Sequence, residues 1–407
     1  MKNKNCRISG KPLTIINNFG KQPLGNGFLE SKDFQNEFFF EMKTGFCNES
    51  MMFQLVDQPK PKIMFHDNYL FYSSTSTMMR DHFKKWSENI ISNKNFKKDS
   101  FVIEIGCNDG IFLNNFSKRK IKHLGIEPSI NVAQQAIING NKVATEFFSQ
   151  KLSEKIIKEH GLADYIFSAN VMCHIPNIID VAKGIEKCLN KKGILSFEDP
   201  YLGDVLKKIT YDQIYDEHVF LFSAHSVEKL FNKVGMELIK VEPQSTHGGS
   251  MRYTLGKKNE HKKDESVHYY LKEEEKNGVN NLDRILQFDK DVNNSKLKLN
   301  EVLNDLKSKN KKIVGYAATS KSTTILNYCN IDSKTIDFIF DTTPTKINKF
   351  SPGKHIPIRD MKEFKKYKPD YALLFAWNHA KEIFAKEKEY SNDYGNWIIC
   401  APEAHIL

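Results

Sequence analysis

Residues 101–110 read Phe-Val-Ile-Glu-Ile-Gly-Cys-Asn-Asp-Gly, and this stretch decides the fold class. Phe101, Val102 and Ile103 are apolar β-formers that run into a glycine-bearing turn, after which a helix-like segment starts at Ile111. A buried parallel strand feeding a tight turn before a helix presents backbone N–H groups to a ligand. The spacing is Glu104-x-Gly106-x-Asn108-Asp109-Gly110. It is neither the G-x-G-x-x-G of dinucleotide sites nor a phosphate loop ending in Lys-Ser/Thr. An acid in the strand, two residues before the first glycine, suits a cationic ligand better than a bare polyphosphate.

Outward from this turn, strands and helices alternate. A helical pattern over 81–89 leads into the strand at 101. Strands follow at 122–127, 142–144, 163–169 and 193–198, with a helix over 130–139, and a hairpin pairs 236–242 with 251–255. Alternation of this kind predicts a parallel sheet covered by helices on both faces. Upstream, short apolar runs at 13–16, 38–40 and 51–55, separated by Gly and Asn turns, predict a small β-rich module. Downstream, the charged stretch 260–309 reads as one or two long helices. A second α/β unit starts at Lys312, with strands at 313–316, 336–340 and 371–375. Three domains are expected: 1–80, 81–260 and 261–407.

Composition narrows the function classes. The 407 residues are 40% hydrophobic and 12% aromatic, enough for several packed cores. No run of eighteen apolar residues predicts a membrane span, and no apolar signal core follows Met1, so a cytoplasmic protein is expected. The net charge of +10 is nearly all lysine, because arginine stands only at 7, 80, 119, 252, 284 and 359. Arginine is the residue expected where bases and phosphates are held bidentately, so nucleic acid is not an expected partner. Cys6-x-x-Ser9 and Cys47-x-x-Ser50 have the spacing of two zinc knuckles in which each second cysteine is serine. Two thiolates and two hydroxyls make a poor structural zinc site. The module is expected to fold on its apolar contacts, with Cys6 and Cys47 as remnants.

Other polar residues stand where a doubly wound sheet places its ligand, beyond the C-terminal strand ends. Glu127 ends the 122–127 strand, where an acid accepts hydrogen bonds from ribose hydroxyls. Asn170 and His174 follow the 163–169 strand, four residues apart. The densest polar run is Tyr211-Asp-Gln-Ile-Tyr215-Asp-Glu217-His218, with Tyr215, Glu217 and His218 within four residues directly before an apolar segment, as at a cleft wall. A histidine beside a carboxylate acts as a general base near neutral pH. His247-Gly-Gly-Ser-Met-Arg252 lies on the hairpin, with paired glycines that allow close backbone approach.

The Glu104–Gly110 turn resembles motif I of S-adenosylmethionine (SAM) methyltransferases. Taken in order, Cys6-Arg-x-x-Gly, Gln22-Pro-Leu-Gly-Asn, Tyr69-x-x-Tyr72-Ser-Ser, the 104–110 turn, Asn170 to His174, Tyr215-x-Glu217-His218, His247-Gly-Gly-Ser-x-Arg252, Gly315-Tyr-Ala-Ala-Thr-Ser-Lys321 and Pro352-Gly-x-His-Ile-Pro are similar to the three-domain sugar C-methyltransferases. Those enzymes methylate C3 of nucleotide-linked 4-keto-deoxyhexoses. The resemblance implies a class I, Rossmann-like methyltransferase core between a small β-rich, zinc-finger-like domain and a C-terminal Rossmann-like domain. It implies SAM held by Glu104, Gly106, Asn108, Asp109, Gly110 and Glu127. It implies His218 as the base, Glu217 orienting it, Tyr215 as a competing base or donor, and Asn170 and His174 at the sugar. Tyr69, Tyr72, His247, Arg252, Tyr316 and Lys321 are implied as substrate contacts, with Lys321 and the 315–319 turn at the nucleotide or diphosphate. Family members carry four zinc-binding cysteines, and Ser9 and Ser50 put the metal alone in doubt. The alternatives are O- or N-methylation of a sugar nucleotide or other small molecule, and a homologue that binds without catalysis.

Overall fold

Phe101–Ile105 is buried at every position because the two sides of this strand face two different cores. Phe101, Ile103 and Ile105 join the main apolar cluster. Val102 faces Trp86, Phe112, Phe116 and Phe167. Burial on both faces is the signature of a parallel strand roofed by helices. The computed structural model describes residues 4–65, 72–401 and 403–407.

Around this strand a seven-stranded sheet runs in the order Met236–Gln244, Ser250–Lys257, Leu189–Pro200, Ala163–Ala169, Phe101–Ile105, Lys122–Ile126, Val143–Ala144. Numbered along the chain, this is 3-2-1-4-5-7-6 read from the other edge. The first five strands are parallel, and Ser250–Lys257 pairs antiparallel with both of its neighbours. This is the sheet that the resemblance implied for the central domain. Its strand order reverses between Phe101–Ile105 and Ala163–Ala169, the crevice in which such folds bind ligands.

Thr14–Pro23, Phe39–Cys47 and Met52–Leu55 form an antiparallel sheet. Phe220–Leu221, from the middle of the chain, adds a fourth strand against Met52–Leu55. Thr14–Pro23 is longer than its apolar run because polar Asn17 is buried, bonded through its side chain to Thr44 and Asp289. Helices Glu265–Lys276 and Leu282–Ser308 occupy the charged stretch. The last sheet runs Ile358–Asp360, Ile339–Asp341, Ile313–Tyr316, Tyr371–Leu374, Asn396–Ile399 in parallel, closed by antiparallel His405–Ile406.

One local expectation needs correction. The segment after the glycine turn is not a long helix: residues 111–113 form turns, and the helix is the single turn Asn114–Ser117. Ile111, Phe112, Leu113 and Phe116 are all buried, so this segment serves the core rather than a ligand.

Arg252 also departs from expectation. It faces Glu198 across paired strands, donates from Nε to Glu198 Oε1 at 2.6 Å, and lies 4.1 Å from the Trp86 ring centroid. His82 Nε2 holds the other carboxylate oxygen at 2.7 Å. Arg252 is thus a structural counter-ion and does not line the ligand cavity described below. Removing it would leave Glu198, which is 1% exposed, with His82 alone as a side-chain partner among the described residues. Arg252→Ala is expected to lower stability in urea by about 3 kcal/mol, whereas a free surface arginine would change it by less than about 0.5 kcal/mol.

Candidate functional site

At the reversal of strand order lies a cavity of about 700 Å³ whose walls come from this sheet and from loops and helices of the parts before and after it. One end is built by the residues that follow the parallel strands: Gly106 and Asn108, Ile126 and Glu127, Ala169 and Asn170, with Phe147 and Phe148 opposite. Gly106 has φ +73°, and a Cβ there would sit 2.3 Å from Val171 Cγ2, so only glycine lets the turn pass this close. Glu127 braces the turn, accepting from Asn108 N at 3.0 Å and Ser129 N at 2.9 Å. Ser73 N donates to Asn108 Oδ1 and Ser74 N to Asp109 Oδ2, both at 3.0 Å. The 73–76 segment is thereby tied over this end.

Three carboxylates crowd this turn. Glu104, Asp109 and Glu127 are all buried, and none forms an ion pair among the described residues. Burial, with Asp109 and Glu127 nearby, pushes the Glu104 carboxyl well above its usual range. Burial also raises Glu127, against the hydrogen bonds from Ser129 and Asn108. Glu104 Oε2 and Asp109 Oδ1 have no hydrogen-bond partner among the described residues. A ligand bearing an ammonium and a sulfonium would favour the charged form of Glu127, the one of the three that lines the cavity, and SAM fits this end. Glu127, Gly106 and Asn108 line the cavity, whereas Glu104, Asp109 and Gly110 support the turn from behind it. A Cβ on Gly110 would meet Asn141 at 2.5 Å, so that glycine answers to packing.

The other end holds the polar cluster. His218 Nδ1 is 2.7 Å from Gln213 O, and Nε2 is 2.8 Å from the Tyr215 hydroxyl. A carbonyl only accepts, so Nδ1 carries the proton and Nε2 accepts from Tyr215. Glu217 is not the orienting group expected: its Oε1 accepts from Asn26 Nδ2 at 2.7 Å, while the backbone carbonyl of Gln213 orients His218. The His174 ring stacks on His218 with centroids 5.2 Å apart, and its Nε2 is buried without a partner among the described residues. Burial pushes His174 down to about 3 and His218 well below its ordinary value. It pushes the Tyr215 phenol well up. Both imidazoles are therefore neutral at neutral pH. Asn170, with φ +55°, lines the cavity between the two ends.

The third wall comes from the part after this sheet: Thr319, Ser320, Lys321 and Lys346, with His247 from the hairpin and His379 nearby. Lys321 Nζ donates to His247 O at 3.2 Å and Lys346 Nζ to Ala318 O at 2.8 Å. Tyr316 is not at the site: it is 3% exposed in an aromatic core and donates to Glu387 at 3.0 Å. Tyr72, expected at the substrate, does not line the cavity, and its hydroxyl accepts from Asn131 Nδ2 at 2.9 Å. Tyr69 lies outside the described residues. The sequence reading missed Asn26, Gln213, Phe147, Phe148, Lys346 and His379. Of these, Asn26 and Gln213 stood within quoted motifs.

Two groups of possible metal ligands were tested against this geometry. Cys173, His174 and His218 place one donor atom each within 4.8 Å of one another. Both His218 nitrogens are already committed, and burial beside Asp199 pushes the Cys173 thiol well up, so the trio is better described as a histidine pair beside a neutral thiol. In the first sheet, Cys6 Sγ and Ser50 Oγ are 3.1 Å apart and Ser9 Oγ and Cys47 Sγ 3.2 Å. The two half-knuckles converge, but hydrogen bonds occupy the ring, and hydroxyls are weak zinc donors. These residues do not fit a structural zinc ion.

Comparison with known proteins bears on all three parts. Residues 6–65 match a domain described as zinc binding, 78–241 a methyltransferase domain, and 245–402 a C-methyltransferase C-terminal domain. The C-methyltransferase NovU of Streptomyces niveus is 28% identical over 406 residues, 99% of this chain and 96% of NovU. The tRNA U34 carboxymethyltransferase of Campylobacter lari is 26% identical over 124 residues, 29% of this chain and 43% of that protein. Among solved structures, the PH0226 protein of Pyrococcus horikoshii OT3 covers 46% of this chain and 95% of its own at 15% identity and a TM-score of 0.37, too slight a likeness to argue from.

Gly106→Ala is expected to weaken SAM binding about tenfold or more in calorimetry, from left-handed strain and the clash with Val171. Wild-type protein is expected to carry no stoichiometric zinc by elemental analysis, and its melting temperature to ignore a chelator. Ser9→Cys with Ser50→Cys should bind one zinc ion and melt at a chelator-sensitive higher temperature.

Proposed function

We propose a substrate and a mechanism for this chain from one premise: it is a SAM-dependent methyltransferase of the three-domain C-methyltransferase family. The substrate is a nucleotide-linked keto-deoxysugar, methylated at C3 next to a C4 ketone. The observation that carries this reading is the Tyr215–His218 hydrogen bond, which sets a proton acceptor in the same cavity as the carboxylate-rich cofactor end. O-methylation of an ordinary hydroxyl needs only a base. Methylation at carbon also needs a carbanion, and a neighbouring carbonyl provides one as an enolate.

The chain's residues divide that work. His218 Nε2 already accepts the Tyr215 hydroxyl, so the proton leaving C3 travels through Tyr215. The phenol oxygen takes it as the phenol's own proton passes to Nε2. Gln213 O holds Nδ1–H throughout and keeps Nε2 the acceptor. Charge then develops on the C4 oxygen, where the His174 ring nitrogen and the Asn170 amide stand as neutral donors. Neutral donors suit this position because the ketone is uncharged in the ground state. When bound, SAM supplies the electrophilic methyl group that the enolate carbon takes. Walls drawn from three parts of the chain fix the two reactants in line and exclude water.

Labelled-methyl transfer from SAM to keto-sugar nucleotides, with NMR of the product, tests the reading. The methyl should appear on carbon, and C3–H should exchange with solvent deuterium; a methyl on oxygen or nitrogen would overturn it. Tyr215→Phe and His218→Ala are each expected to lower methyl transfer by about a hundredfold or more with SAM affinity kept. The double variant should be no worse than either single one, as for residues that act as a unit. Near-wild-type turnover in Tyr215→Phe would remove the relay and leave His218 to act directly.

A further inference from the structure

Lys321 and Lys346 reach the same cavity from two different segments of the last sheet. Lys321 belongs to the first turn of helix Ser320–Tyr328, and Lys346 to the loop after Ile339–Asp341. Both side chains line the cavity. Neither forms an ion pair among the described residues. Lys321 Nζ rests 4.9 Å from the Trp377 ring centroid and Lys346 Nζ 4.7 Å from that of Phe28. Each ammonium donates to one backbone carbonyl, His247 O or Ala318 O. An ammonium has three donors, so each keeps capacity for a ligand.

The electrostatics make this arrangement unusual for a purely structural pair. Burial pushes both lysines below their ordinary value, with Asp212 opposing for Lys321 and Asp341 and Glu217 for Lys346. A cation removed from water without a contacting counter-charge is costly. Two such cations facing one space make it a place for a doubly anionic group. The Thr319 and Ser320 side chains that line the same wall add neutral donors. Tyr215 and His218 stand in the same cavity, so an anion held here would leave the group attached to it facing the catalytic pair.

We propose that Lys346 joins Lys321, which the resemblance already sets at the nucleotide or diphosphate, in a two-cation clamp, and that Lys346 is the residue that distinguishes diphosphate from monophosphate. The inference rests on the nucleotide-linked substrate proposed above. Lysine binds phosphate as a point charge, and two lysines on separate segments match two linked phosphoryl groups better than one compact anion.

Calorimetry on the full chain saturated with S-adenosylhomocysteine tests it, with thymidine diphosphate, uridine diphosphate, the matching monophosphates and nucleosides, and inorganic pyrophosphate as probes. Wild type should prefer at least one diphosphate over its monophosphate. Lys346→Gln should weaken that diphosphate about tenfold or more, leave the unphosphorylated nucleoside and S-adenosylhomocysteine unchanged, and be partly rescued by Lys346→Arg. Equal diphosphate affinity in wild type and Lys346→Gln would overturn the clamp. So would an equal loss for the bare nucleoside, which would mark Lys346 as a tie between Phe28 and Ala318 only. Lys346-dependent diphosphate binding without any methyl transfer to keto-sugar nucleotides would leave the clamp standing and remove the proposed function. Methyl transfer by a Lys346→Gln enzyme with unchanged diphosphate affinity would do the reverse.

Discussion

Glu104, Asp109 and Glu127 are buried around one turn, and charged carboxylates in such a place would be strongly unfavourable without compensation. The surroundings supply part of it. Backbone N–H groups of Asn108 and Ser129 point at Glu127, and that of Ser74 at Asp109. The phenylalanine core around Phe112, Phe116 and Phe167 holds the strands that fix those acids in place. Of the three, Glu127 lines the cavity and is available to a cationic cofactor. Lys321 and Lys346 set the opposite sign on another wall of the same cavity, with no ion pair among the described residues. Ions of opposite sign would neutralise each other if the chain allowed them to touch. Anchoring them on different sheets keeps them apart, so each stays available for a ligand.

The two α/β units solve the same local problem alike. Asp341, at the end of Ile339–Asp341, accepts from Ala318 N and Thr343 N, both at 2.7 Å. Glu127 does the same with Asn108 N and Ser129 N after its own strand. In each case an acid at the end of one strand braces the turn that follows its neighbour. The difference lies in what the turns face. Glu127 lines the cavity, while Asp341 stays behind the wall and leaves Thr319, Ser320 and Lys321 to face it. The loop with Tyr215 and His218 is held from both sides. Gly25 N donates to Asp216 at 2.7 Å, and Thr324 Oγ1 to Ile214 O at 2.8 Å. Thr323 Oγ1 also donates to Gly25 O at 2.9 Å, which links the outer parts directly.

Much of this was legible in the order of residues, and the rest failed for identifiable reasons. Strands 163–169 and 313–316 could be bounded from sequence because both are short runs of mostly apolar residues between turn signals. The helix at Ile111 was overextended because Ile111, Phe112 and Leu113 are apolar in any conformation, and only the three-dimensional core shows that they pack as turns. Arg252 carries the charge of a substrate contact, but its role depends on Glu198 lying opposite it across two strands fifty residues apart in sequence. Tyr316 sits beside a ligand-facing turn, yet strand alternation points it into the aromatic core. Lys346 has no local signal at all: a lysine in a Thr-Pro-Thr loop is ordinary until the fold brings it to the Ala318 carbonyl.

The direction of the Tyr215–His218 bond is the clearest case of chemistry that residue identity cannot carry. Tyrosine and histidine three residues apart are compatible with either group as donor. The choice is made by a backbone atom, Gln213 O, which has no proton to give and therefore requires one on Nδ1. That leaves a single lone pair on Nε2, already facing the phenol. Glu217, the neighbouring carboxylate, would have offered an ionic partner and raised the basicity of the ring. Its engagement with Asn26 instead ties the loop to the first sheet, and a neutral carbonyl does the orienting. A neutral, buried imidazole is a weaker base than one paired with a carboxylate, but it is never lost to protonation near neutral pH. It also adds no charge to the space where the lysines await an anion. Separation of charge across the cavity, with the neutral Tyr215–His218 pair in the same space, is thus a consequence of which atoms Gln213, Asn26 and Glu217 present to one another.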